Sequence, residues 1–454
     1  MNKPNRVFIL LLIAILFVSL GTVNTFAIVS PEANSMRNTI TDLMKKFDVK
    51  SSAIVVVKNG EIVLSDGFGK ESVLGADVSE KSVFEAGSNG KMIAAYITLK
   101  LADDGKLNLD DKITQYLSPD WTTNDERFEY ITVRELLSHT AGFSPSFELG
   151  IDKNIYFDPG TQFSYSGVGY IYLQQVIETV TGEKFETVAQ SYVFAPLAMT
   201  SSTFQNVKTV TPFINTASLT LYCLAVFLIS LVIFLSIGFV IGAITKYKRL
   251  SKKRILSISI ILSGVINIAF LMFLMSKLVV MFVLFISMGL GILFLTRRTQ
   301  KMYYAAFPIF TSIIVALGLT LPASLPVTRD LIQKDPNCAY SLKTTAKDMA
   351  LFVDELLIQS KNYSSPMFTP QIVIDKDNGW GLGIAIEKSE DEITYWHSGI
   401  NPGFQSLVVL YPKNNSYIVI LTNSDNGLSF SKAVATEFLA VNGTWDIIRT
   451  ELTK

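Results

Sequence analysis

Hydrophobic and polar positions along this chain follow three rhythms, and each predicts a different kind of element. Near the start, SAIVVVK and EIVLSDGFG are short β-rich runs joined by Asn59-Gly60. That dipeptide accepts the positive φ angles of a tight two-residue turn, so the pair reads as a β-hairpin. Further strand-like runs come near the other end, at 381–386, 393–396, 404–411 and 417–422. Apolar residues recur at helical spacing over 33–47, 89–104, 133–138, 168–181, 183–194, 345–359 and 431–440. Strands at both ends with helices between them predict one antiparallel sheet assembled from the two ends of the chain.

The third rhythm is an absence of polar punctuation. Residues 209–245, 255–276, 278–296 and 302–328 contain no Asp, Glu, Lys or Arg. Each run is long enough to cross a hydrocarbon core of about 30 Å, and none has the polar face of a buried helix in a soluble domain. Four transmembrane helices are therefore expected within 213–325, the fourth interrupted by Pro308. The basic stretches KYKRLSKKR and TRRTQK follow the first and third runs, whereas the loop after the second holds only Lys277. Loops rich in Lys and Arg lie on the cytoplasmic side, so four crossings return the chain to the outer side, where both halves of the sheet can meet.

The N-terminus agrees with that topology. Lys3 and Arg6, an apolar run over 7–20 and then GTVNTFA give the order of a secretory signal cut after Ala27, or of an uncleaved anchor. The expected organisation is a signal or anchor at 1–27, two parts of one external domain at 31–208 and 329–454, and a membrane insertion at 213–325 that fixes the protein in the cytoplasmic membrane.

Composition then removes several chemistries. The 454 residues carry 39 basic and 39 acidic side chains, which gives no global attraction to nucleic acid. Cys223 lies inside an apolar run and Cys338 beyond the last one, so no disulfide framework is expected. With two distant histidines and no C-x-x-C, neither a protein metal site nor another cofactor is expected. The remaining partners are a small-molecule or peptide substrate and membrane lipid.

The chemistry is sought first in FEAGSNGKMIAAY, where Ser88 begins a helical pattern and Lys91 follows three residues later. Helical spacing puts both side chains on one face, and a helix start offers free N–H groups with a positive dipole end. A serine there can lose its proton to a neighbour while its own N–H holds an oxyanion. The spacing alone is weak, since Ser429-Phe430-Ser431-Lys432 repeats it and reads as ordinary helix-start residues. What distinguishes the first copy is its company, FDPGTQFSYSGVGYIYLQQVIE and later YWHSGINPGFQSLVVLY.

With these stretches the chain resembles the serine β-lactamase and penicillin-binding-protein-like superfamily, in its class C β-lactamase, D-peptidase and esterase branch. ITVRELLSHTAGF, YVFAPLAMTSSTF, SLKTTAKDMALFVDEL and WGLGIAIE support the resemblance in order along nearly all of the polar sequence. It implies an α/β (α+β) fold, an antiparallel sheet flanked by helices plus a mainly helical subdomain, with the site at their junction and four transmembrane helices inserted. It further implies that Ser88 is the acylated nucleophile, that Lys91 or Tyr165 takes its proton, and that the backbone N–H groups of Ser88 and Ile400 form the oxyanion hole. His397-Ser398-Gly399 matches the strand motif beside the nucleophile, which implies a catalytic place for His397 and substrate binding by Ser398 and Gly399.

Two departures bear on the substrate. The family's Tyr-x-Asn is here Tyr165-Ser166-Gly167, and the lysine of Lys-Thr-Gly is His397, neutral at pH 7 unless its surroundings raise its pKa. Both weaken recognition of a carboxylated amide such as a β-lactam and favour esters or D-amino-acid peptides. A nearby Lys91 cation is expected to favour the Tyr165 phenolate. His139, in LLSHTAG, is expected to support the site from a helix end, and the glycines of GWGLG to be strand glycines. The expected function is a membrane-bound serine hydrolase; the alternative is a penicillin-binding-like sensor or immunity component that is acylated and signals through its spans.

Overall fold

Asn59 and Gly60 both adopt positive φ, 54° and 81°, and they close the predicted hairpin between β1 (Ser51–Lys58) and β2 (Glu61–Gly69). The computed structural model describes residues 31–72, 75–145, 153–211, 336–361, 365–389 and 392–446. It contains two compact units, Met1–Ile40 and Thr41–Lys454, and the site lies wholly within the second. Helix α1 (Pro31–Phe47) carries Glu32 in its first turn and Lys45 and Lys46 in its last, each favourable to the helix dipole.

The second half of the chain completes the sheet. Strands β5 (Ile372–Val373), β6 (Asn378–Trp380), β7 (Ala385–Ser389), β8 (Glu392–Asn401), β9 (Phe404–Tyr411) and β10 (Ser416–Thr422) join the hairpin in the order β2-β1-β10-β9-β8-β7-β6-β5. Every pairing is antiparallel. Val55 stands opposite Val419 and Val57 opposite Tyr417, so the two halves meet between the second and third strands of the sheet. Ala53, Val55 and Val57 belong to the main core, and the alternate residues Ile54, Val56, Ile418 and Ile420 are buried too. Both faces of the central strands are thus covered, which explains their unbroken apolar runs.

A second, two-stranded sheet joins β3 (Phe84–Gly87) to β4 (Leu342–Thr344), again one strand from each half. From β3 the chain turns into α2 (Gly90–Asp103), followed by the helical subdomain with α3 (Val133–Leu137), α4 (Gly167–Thr181) and α5 (Phe185–Ala189). Helix α3 starts in a capping box between Thr132 and Glu135. Helix α6 (Ala346–Ser360) packs on β1 and β10, and α7 (Gly427–Leu439) on β9 and β10. An antiparallel sheet with flanking helices and a helical subdomain is the expected architecture.

Three boundaries differ from expectation. Ser88 lies in the turn before α2, whose helix starts at Gly90. The strand expected over 381–386 is a tight turn followed by β7: Gly381 N–H donates to Ile384 O at 2.9 Å and Gly383 takes φ +84°. Only Gly379 of GWGLG is a strand glycine. The strand expected over 393–396 extends as β8 through His397-Ser398-Gly399-Ile400 to Asn401. Among the described residues no helix is long and apolar enough to cross a membrane. The four charge-free runs and residues 1–27 lie outside the described residues.

Candidate active site

The turn between β3 and α2 places Ser88 against the end of β8. Gly87, at φ +54°, comes so close to that strand that a Cβ there would sit 3.1 Å from Ile400 N and 3.3 Å from Gly399 Cα. Gly399 is equally constrained, since its Cβ would fall 1.9 Å from Ala86 O. The backbones at Ser88 and Ile400 therefore adjoin only because both neighbours lack side chains. Asn89 fastens the turn from within: its Nδ2 donates to Ala86 O at 3.2 Å and to Ser406 Oγ on β9 at 2.7 Å.

Lys91 projects from the first turn of α2, and its Nζ lies 3.1 Å from Ser88 Oγ. It also donates to Ala339 O at 2.6 Å, a carbonyl from the second half of the chain. Lys91 is buried, and no acidic side chain pairs with it in any described ion pair. Desolvation pulls its pKa from 10.5 to about 7, against a small opposing effect of Cys338. Burial thus favours the free amine of Lys91 near neutral pH. The segment that holds it is itself fastened, with Asn337 Oδ1 accepting from Ala339 N at 3.0 Å and Gln174 Oε1 accepting from Cys338 N at 2.9 Å.

Tyr165 enters just before α4. Lys91 Nζ stands 5.0 Å from the centre of its ring, over the face and not at the hydroxyl. The expected phenolate is accordingly not what the structure favours: burial raises the Tyr165 pKa, and the Ser88 side chain, near the hydroxyl but making no hydrogen bond with it, lowers it only in part. Ser166, beside it, caps α4 by accepting from Gly169 N at 2.9 Å and donates to Ser144 O at 2.6 Å. Its hydroxyl is thereby occupied in the fold.

His139 sits at the end of α3 with φ 58° and packs its ring 4.3 Å from that of Tyr165. Its Nδ1 accepts from Ser166 N at 3.0 Å, which orients the tyrosine loop. Burial, then Lys91, then His397 drive its pKa well below 6.5, so it is neutral. This is the supporting role expected from sequence. His397 on β8 is also fully buried and neutral, its pKa lowered to about 3 by desolvation and then by Lys91. Its Nδ1 lies 2.8 Å from Ser398 O; because a carbonyl only accepts, the proton is on Nδ1 and Nε2 carries a lone pair.

Sequence reasoning missed three contributors. Ala339 acts through a backbone carbonyl, which leaves no residue-type signal. Trp380 packs against His139, Tyr165 and His397 at 5.1, 5.7 and 5.7 Å between ring centres; within WGLGIAIE its ring reads as ordinary packing. Asn401 donates to Glu85 Oε2 at 2.8 Å and to Tyr340 O at 3.1 Å, tying β8 to β3 and to the Ala339 segment. The structure brings together Ser88, Lys91, Tyr165, His397 and Ile400, with Ser398 and Gly399 on the same strand. Among the described residues no group of three His, Cys, Asp or Glu side chains is placed to hold a metal.

This arrangement is equipped for acyl transfer: a hydroxyl beside a partly neutral amine, a neutral phenol within reach, and two adjoining backbone segments. The family model described as Beta-lactamase matches residues 36–212 and 320–441. Protein flp of Staphylococcus aureus (strain MW2) is 27% identical over 180 residues, covering 36% of this chain and 36% of that protein. The chain thus spans little more than a third of the length of that relative. Among solved structures, a class C beta-lactamase superposes with TM-score 0.57 at 14% identity, covering 91% of this chain and 98% of that one. A D-stereospecific amidohydrolase from Streptomyces sp. gives 0.56 at 15% identity, covering 91% and 100%. At these identities the likeness is one of fold.

Proposed function

The chain belongs to the Beta-lactamase family, and from that premise we propose that it is an acyl-serine hydrolase acting on an amide or ester. The observation that carries the reading is the Lys91 amine, 3.1 Å from Ser88 Oγ and with its pKa brought to about 7. An amine poised near the working pH is suited to take a serine proton. Burial makes Tyr165 a weak acid, which favours Lys91 over Tyr165 as the base and leaves the phenol to pass a proton to the leaving group. Ser88 then attacks the acyl carbon, the N–H groups of Ser88 and Ile400 hold the oxyanion, and water releases the acyl group. His397, Ser398 and Gly399 line the substrate strand.

The enzyme is held in the cytoplasmic membrane by four helices within 213–325, with the catalytic domain outside. Supporting this are the four charge-free runs, the basic loops that alternate between them, and the interruption of the family match between 212 and 320. The reading leaves both domain parts on one side, as a shared sheet requires.

The test is a membrane-impermeant fluorophosphonate applied to intact cells. Labelling of the natural protein that disappears in Ser88→Ala is expected. Labelling that persists in Ser88→Ala, or that requires broken cells, overturns the nucleophile or the topology respectively.

A further inference from the structure

Among the described residues Lys91 donates to two groups, Ser88 Oγ and Ala339 O, and the reaction consumes the first. On acylation Ser88 Oγ becomes an ester oxygen, a poor acceptor, so the ammonium formed at Lys91 is left with Ala339 O, 2.6 Å away. The titratable groups around it bring no negative charge near neutral pH. Tyr165 and Tyr170 present ring faces at 5.0 and 5.6 Å, and burial keeps both phenols protonated. Burial raises the Cys338 thiol to about 12, and His139 and His397 are neutral. The working ammonium therefore depends on one backbone carbonyl.

That carbonyl is one end of the peptide plane between Ala339 and Tyr340, and the other end is the Tyr340 N–H. Asn337 Oδ1 accepts from Tyr340 N at 3.1 Å and from Ala339 N at 3.0 Å. Both partners are donors, so the oxygen of the carboxamide faces them and not its nitrogen. A continuous line runs from Asn337 Oδ1 through the 339–340 peptide to Lys91 Nζ and Ser88 Oγ. Each bond in such a line polarises the next.

Asn337 is itself held in place. It is 6% exposed, its N–H donates to Ser341 Oγ at 3.1 Å, and its carbonyl accepts from Ser341 N at 3.2 Å. Without its side-chain oxygen, two consecutive N–H groups lose their acceptor and the peptide plane can turn away from Lys91.

We propose that Asn337 is a positioning residue for acyl transfer: it aims the 339–340 peptide so that Ala339 O holds Lys91 against Ser88 and accepts from the ammonium formed when the serine gives up its proton. The inference rests on the acyl-serine reading and adds to it a residue that touches neither the substrate nor the reacting atoms.

The experiment follows fluorophosphonate labelling against pH on the full-length protein in membranes, for the natural protein, Asn337→Ala and Asn337→Asp. Rate constants are taken from the approach to saturation, so they refer to each active serine whatever fraction of the protein is folded. Losing the acceptor destabilises the ammonium more than the amine. In Asn337→Ala the inflection should therefore move from about 7 to about 6, and the plateau above it should fall roughly tenfold. Asn337→Asp keeps an oxygen for both N–H groups and adds a negative charge. It should restore the plateau to within about threefold and move the inflection above the natural one. A purely structural role lowers the amount labelled and leaves the inflection of Asn337→Ala in place; that result overturns the proposal. If Asn337→Ala yields no folded protein, Asn337→Asp decides alone, and an inflection at or below the natural one overturns the proposal. A natural protein that labels without an inflection near 7 also overturns it while leaving the nucleophile in place. A natural protein that does not label at all refutes the acyl-serine reading itself.

Discussion

The chain contains the same spacing twice, Ser88 to Lys91 and Ser429 to Lys432, and the two copies live in opposite surroundings. In the first, the lysine is buried, touches the serine hydroxyl at 3.1 Å and has its pKa brought to about 7. In the second, Ser429 is exposed in the first turn of α7, and Lys432 forms an ion pair with Asp446. Both sit near the start of a helix. What separates them is what packs around the cation: two aromatic faces and a carbonyl at Lys91, a solvated carboxylate at Lys432. Spacing supplies the pair, and desolvation turns it into chemistry.

The largest test of that contrast is replacement of the serines. Ser88→Ala should reduce fluorophosphonate labelling and turnover by at least ~10³-fold, while Ser429→Ala leaves both unchanged; equal losses would abolish the distinction. Next, Lys91→Met should slow labelling about 10²–10³-fold. In the natural protein the rate should rise with pH through about 7, as the Lys91 ammonium loses its proton, and that limb should be missing from the variant. A profile with no inflection near pH 7 would transfer the role of base to another group.

Stability gives a smaller and opposite signal. The unfolded chain keeps an ordinary lysine, whereas burial brings Lys91 from 10.5 to about 7. Between those values the unfolded state binds a proton that the folded state does not, so stability rises with pH across the window. Below pH 7 both states are protonated and the full cost of burial is felt. Lys91→Met should therefore raise Tm, with a gain at pH 6 larger than at pH 9 by roughly 2–3 kcal/mol. An equal gain at the two pH values, followed by calorimetry, would mean that Lys91 is not desolvated. Smallest of all, Lys432→Ala should cost at most about 1 kcal/mol, because its partner is 65% exposed, and should leave the pH profile of labelling in place.

Much of this was legible in the sequence where a residue type carried the information. Asn59-Gly60 announced the hairpin, and the β-rich runs at both ends announced a shared sheet. Ser88, Lys91, Tyr165 and His397 stand together as the ordered motifs implied. The two-stranded sheet of β3 and β4 was missed because three or four residues give no readable period. Ala339 was missed because a carbonyl is common to every residue, and Trp380 because an apolar ring in a glycine-rich stretch looks like packing. The Tyr165 ionisation was misjudged for a geometric reason: proximity to Lys91 was inferred correctly, but the cation faces the ring, so burial outweighs attraction. The runs assigned to the membrane fall outside the described residues.

The register of β1 with β10 has a consequence in time. Val57 waits for Tyr417 before its strand is covered, and at roughly 5–20 residues per second the ribosome needs roughly 20–70 s to travel between them. Pairings of such sequence separation also close slowly. During that interval Ser88 and Lys91 already exist, but Ala339, Trp380, His397 and Ile400 do not yet surround them. A lysine still in water keeps its proton, so the newborn pair is chemically inert, and nucleophilicity is switched on only when the last strands dock. Late synthesis of the covering half acts as a safety catch, delaying the reactive serine until the whole chain has been delivered and joined.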